Sequence, residues 1–114
     1  MLDNEARQNM QSIKELVIQN WGSDCEFADV RIVDSPYPEF ELKIWLYHKI
    51  EVGIYYDRSA LDIGIRHGEK FVLLGKFTAE QVYRGMKALK PENLLHNFRI
   101  LDDVARELIK SCQG

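Results

Sequence analysis

The side chains able to move a proton, hold a metal or attack a substrate are few and scattered. Histidine occurs as His48, His67 and His96. No two of them have the i, i+4 spacing by which paired imidazoles grip zinc, and no cysteine cluster stands beside them. Cys25 and Cys112 sit near opposite ends of the chain without CxxC spacing and read as two reduced structural thiols. Neither a metal nor another cofactor is expected. One acid–base set can be composed: His48 or His67 with Lys49, Tyr55 and Glu51 as acid, base and phosphate clamp of a small metal-independent ribonuclease-like hydrolase. A formal charge of −3 opposes a nucleic-acid substrate, which needs cations against phosphate. The chain has no GxSxG elbow, P-loop or GxGxxG, and Gly64-Ile65-Arg66-His67-Gly68 reads as a strand with its turn. Asp57 and Asp62 read as solvated hairpin acids. The expectation is a protein without catalytic residues.

The elements that carry these side chains are located by hydrophobic alternation. Phe40, Leu42, Ile44 and Leu46 alternate with Glu41, Lys43, Trp45 and Tyr47. Ile50, Val52, Ile54 and Tyr56 alternate with Glu51, Gly53, Tyr55 and Asp57, and Leu61, Ile63 and Ile65 with Asp62, Gly64 and Arg66. Period two is the signature of half-buried strands. Directly opposed residues share a face, so parity constrains the loops. Leu46 opposite Ile50 leaves Tyr47-His48-Lys49 as one turn. Tyr56 opposite Leu61 leaves Asp57-Arg58-Ser59-Ala60 as the next.

These registers specify the second face of the sheet. Glu51 falls opposite Arg66, Tyr55 between Glu41 and Asp62, and Gly53 between Lys43 and Gly64. The two glycines form a trough flanked by Trp45 and Tyr55. Either the rings fold over the glycines and protect the sheet, or another protein docks there. The acids around the rings repel a phosphate backbone and attract a lysine- or arginine-rich surface. Glu41, Trp45, Glu51, Tyr55 and Asp62 are therefore the candidate partner contacts.

The flanking segments complete the layout. Residues 4–20 read as an amphipathic helix on Ala6, Met10, Ile13 and Val17, capped by Asp3 or Asn4 and ended by Gly22. Glu26–Val33 reads as a strand with Ala28, Val30 and Ile32 on one face, followed by a turn over Asp34-Ser35-Pro36-Tyr37-Pro38. Phe71-Val72-Leu73-Leu74 reads as a fifth strand. Thr78-Ala79-Glu80-Gln81 has capping-box spacing and predicts a helix on Val82, Met86 and Leu89. Pro91 opens a last helix on Leu94, Phe98, Leu101, Ala105, Leu108 and Cys112. The fold class is α+β, one domain over 1–114: an N-terminal helix, a four- or five-stranded antiparallel meander, and two C-terminal helices packed on the sheet.

At 114 residues with 46% hydrophobic side chains, the chain can bury a core without disulfides or metal. The N-terminal stretch lacks a basic segment followed by an apolar run, and no stretch reaches the ~18 apolar residues of a membrane span. A cytoplasmic location without membrane or nucleic-acid partner is expected. The helix–meander–helices layout and acidic balance resemble the small bacterial immunity proteins of contact-dependent or polymorphic toxin systems. That resemblance implies a basic toxin domain as protein partner, its active site blocked by this chain, and it assigns no residue a role. The alternative from another class is an acidic secretion chaperone or structural partner. Such chaperones carry a helix after the third strand, for which Asp57–Ala60 leaves no room. The oligomeric state is not specified by the sequence.

Overall fold

A computed structural model describes residues 4–33, 39–57 and 60–113, without the side chains of residues 4, 5, 33, 112 and 113. Asp3, the Asp34–Pro38 turn, Arg58-Ser59 and the side chains of Asn4 and Cys112 thus lie outside the described residues. Helix α1 spans Asn4–Trp21 and β1 spans Cys25–Val33. The strands β2 (Glu39–Leu46), β3 (Ile50–Asp57), β4 (Ala60–His67) and β5 (Lys70–Leu73) follow, and α2 (Pro91–Gln113) closes the chain. All five strands pair antiparallel in sequence order.

The registers follow the parity argument. Leu46 pairs with Ile50, and Tyr56 with Leu61, with one further rung at Asp57–Ala60. One face of the sheet is covered by both helices. Leu42, Ile44, Leu46, Val52, Ile54, Leu61 and Ile65 are fully buried there, with Val17 from α1 and Phe98, Leu101 and Ala105 from α2. Burying a side chain of this size contributes roughly 1.5–3 kcal/mol, so this layer sets the fold. Leu108 packs on the core half-buried, whereas Ile100 and Val104 widen the buried stripe of α2 beyond the expected one. Gly22 ends α1 at φ +55, a conformation glycine adopts without a Cβ penalty.

The second C-terminal helix is absent, and only α2 follows the sheet. Thr78 Oγ1 accepts the N–H of Glu80 (3.0 Å), a turn bond two residues on rather than a helix cap three residues on. Gly85, at φ +67, forms an antiparallel bridge with Leu61, and only a 3-10 turn at Met86–Leu89 precedes Pro91. The buried Asn97 of α2 explains why the extended path wins. Its Oδ1 accepts Tyr83 N–H (3.0 Å) and its Nδ2 donates to Tyr83 C=O (2.9 Å), so one side chain imitates a neighbouring strand.

In β1 the expected even-numbered apolar face is broken. The register shifts between Phe27 and Asp29, leaving Ala28 as a bulge. Val30 and Ile32 do stand on the helix-bearing side, opposite Leu42 and Phe40. Below the bulge Phe27 takes that side in place of Ala28, opposite Ile44, with Lys14 Nζ 5.6 Å from its ring centre.

Candidate functional site

Among the described residues no helix lies on the second face of the sheet. Strands β2–β4 place Glu41, Trp45, Glu51, Tyr55 and Asp62 on it together, because each stands in the parity set opposite the core. The trough over the glycines is filled from within. A Cβ on Gly53 would lie 2.6 Å from the Tyr55 hydroxyl, and one on Gly64 3.6 Å from the same ring, so Tyr55 lies across both glycines. Phe71 of β5 meets the Tyr55 ring edge-on at 6.1 Å, and the Arg66 guanidinium stacks over Phe71 at 4.5 Å. Partial burial, and the nearby Glu41 and Glu51 carboxylates, push the Tyr55 phenol above its ordinary pKa against the pull of Arg66.

The acids of this face divide into two groups. Glu51 pairs with Arg66 across β3 and β4, as the register requires. Asp62 pairs with Arg84 at 3.1 Å, a partner delivered by the extended segment before Gly85 and not foreseen from the strands alone. Glu41 lies at the other end of the face, level with Arg31 of β1 and Tyr55 of β3. Among the described residues it lines a hollow of about 250 Å³ with Arg31, Glu39, Phe40, Tyr55, Tyr56 and Asp57. Trp45 stands half-exposed toward the opposite end, between Glu26 and Glu51. Glu41 and Trp45 are about 13 Å apart along β2, so one bound surface would reach both.

A second polar centre was missed by sequence reasoning. Asp102 of α2 accepts Trp21 Nε1–H of α1 (2.9 Å), Arg106 Nε–H of α2 (2.9 Å) and the Tyr47 hydroxyl from the β2–β3 turn. Partial burial works to raise the Asp102 carboxyl. The hydrogen bonds from Tyr47, Trp21 and Arg106, with the Arg106 charge, outweigh it and hold Asp102 below the usual carboxylate range. Tyr47 is shifted upward by burial and by the bond to that carboxylate. Tyr47 and His48 both adopt positive φ (55° and 56°), a turn closed by Lys49 N–H to Leu46 C=O at 3.0 Å. Non-glycine residues hold that conformation only where neighbours fix them. Here Asp24 C=O accepts the Tyr47 N–H, and Asp102 the Tyr47 hydroxyl. An open basin of about 560 Å³ lies beside this turn, lined by Tyr47, Lys49, Asp103, Arg106, Glu107, Ile109 and Lys110. No signal marked Asp102 in the sequence, because Trp21 and Tyr47 lie 81 and 55 residues away.

The histidines sit apart in contact terms. His48 approaches Glu26 (3.7 Å), the His67 ring meets Phe77 edge-on, and His96 bonds to Gln81 C=O (2.9 Å). Among the described residues no cluster of three potential metal ligands occurs, and no helix is long and apolar enough to cross a membrane. Set against protein-family models, curated proteins and solved structures, the chain matches none.

Proposed function

We propose that this chain is a non-catalytic protein-binding domain that presents the helix-free sheet face to a basic protein partner. In this reading it acts in the cytoplasm as an immunity protein, covering the active site of a cognate toxin domain. The observation that carries the proposal is the uneven charge of that face. Glu51 and Asp62 are answered by Arg66 and Arg84, while Glu39 and Glu41 line a hollow in which Arg31 is the one guanidinium among the described residues. An acidic hollow beside half-exposed aromatics suits a cationic surface with one buried anchor. Trp45 is the anchor of choice: Tyr55 is already occupied over the glycines, whereas Trp45 stands beyond them.

The test uses the immobilised chain as bait in lysate of its source cell, with Trp45→Ala and Glu41→Lys as parallel baits. A basic protein held by the unsubstituted chain should be weakened by Trp45→Ala by about 2 kcal/mol or more, the scale of an interface hot spot. Glu41→Lys should slow association, and added salt should shrink the difference. Unfolding of Trp45→Ala is measured alongside. If stability falls while affinity holds, the ring serves the fold and the proposed interface is wrong.

A further inference from the structure

The sheet ends on two unlike edge strands, the four-residue β5 and the nine-residue β1. On one side β4 is covered by β5 and, at Leu61, by the bridge to Gly85. On the other side β1 is the last strand, nine residues long, and no described strand pairs with its outer edge. Val30 and Ile32, on its helix-bearing side, are 36% and 48% exposed. A long unpaired strand with bare apolar side chains is a template for strand addition. We propose that β1 pairs antiparallel with β1 of a second copy, about a two-fold axis at Val30, joining the two sheets edge to edge.

Parity and charge select that register. A two-fold axis perpendicular to the sheet keeps both helix layers on one side, so opposed residues must come from the same face. The regular stretch beyond the bulge, Asp29–Val33, offers five centres, and those at Ile32 and Val33 set no opposite charges across the axis. Centred on Asp29, two carboxylates oppose each other; centred on Arg31, two guanidinium groups do. Centred on Val30, Asp29 of each copy faces Arg31 of the other, and the pair occurs twice. Opposite charges across strands stabilise a pairing and like charges destabilise it. In the same register Val30 meets Val30 across the axis, covering an exposed apolar side chain.

The backbone is prepared for this exchange. Asp29 Oδ1 accepts the N–H of Val30 at 2.9 Å, so a side chain holds a donor at the centre of the strand. Pairing transfers that N–H to a carbonyl of the second copy and releases the Asp29 carboxylate to Arg31 across the axis.

Sedimentation velocity on the full chain at rising concentration tests the pairing. The unsubstituted chain should pass from monomer to dimer. Asp29→Arg alone and Arg31→Asp alone should stay monomeric, since each sets like charges across the axis. Mixing these two variants should restore a dimer, because both cross-strand pairs are then opposite in sign, and the double variant should dimerise by itself. A chain monomeric throughout, a dimer that survives either single substitution, or single variants that stay apart when mixed would each overturn the proposal. Circular dichroism checks that every variant is folded; should one unfold, Val30→Lys replaces it as the like-charge variant and should also stay monomeric.

Discussion

At the scale of single residues, three backbone positions separate strain from packing. His48 holds φ 56 with an exposed side chain, and the ion-pair distance to Glu26 is 3.7 Å. An exposed pair of that kind is worth little, while a left-handed non-glycine residue costs on the order of 1–2 kcal/mol. His48→Gly should therefore raise stability by roughly 0.5–1 kcal/mol in urea unfolding. A loss instead would show that the imidazole does more than the turn requires. The trough glycines make a paired prediction. Gly53→Ala forces the Tyr55 ring off its seat, and overpacking of this kind costs about 1–3 kcal/mol. At Gly64 the nearest atoms to an added Cβ are Val72 O at 3.4 Å and the Tyr55 ring at 3.6 Å, so Gly64→Ala should stay within about 0.5 kcal/mol of the unsubstituted chain. Equal effects at the two positions would mean that Tyr55 does not lie where the sheet face places it.

At the scale of elements, the meander was legible and the segment before α2 was not. Period-two alternation has one solution per strand pair, so Glu51 opposite Arg66 and Tyr55 between Glu41 and Asp62 followed from residue order alone. The bulge at Ala28 escaped, since exchanging Ala28 for Phe27 on the covered side is a gain in buried area, not a feature of the local pattern. Thr78 to Gln81 has the letters of a helix start, yet a tertiary partner, Asn97, offers Tyr83 both backbone bonds of a strand. Local propensity of a few tenths of a kcal/mol per residue loses to that. Asn97→Ala should leave a donor and an acceptor of half-buried Tyr83 without this partner, costing about 1–3 kcal/mol. Amide exchange should report it as early opening at Tyr83 while β2 and β3 stay protected. Opening of the whole sheet together would show the segment to be inseparable from the core.

At the scale of the whole molecule, Asp102 ties three parts of the fold: α1 through Trp21, the β2–β3 turn through Tyr47, and α2 through Arg106. Its carboxyl lies below its unfolded value, so the folded state favours the ionised form. That contribution is complete above the ordinary aspartate range near pH 4 and is lost as pH falls through the lower folded value. Tyr47 has the opposite sign. Its folded value is raised, so its contribution holds below about pH 10 and fades as pH rises through the folded value. Urea unfolding across pH should therefore show an acid limb that Asp102→Asn flattens and an alkaline limb that Tyr47→Phe flattens. Acid limbs of equal slope in Asp102→Asn and the unsubstituted chain would assign acid sensitivity to other carboxylates.

The placement of the two tryptophans gives the molecule a built-in pair of optical reporters. Trp21 is buried against Phe98, at a ring distance of 5.0 Å, on the helix side; Trp45 is half-exposed on the helix-free side. A small neutral quencher in solution reaches the second indole and not the first, so the emission of a single sample divides into a shielded and an accessible part. Undocking of the helices opens the shielded part. A surface settling on the sheet closes the accessible part and leaves the other untouched.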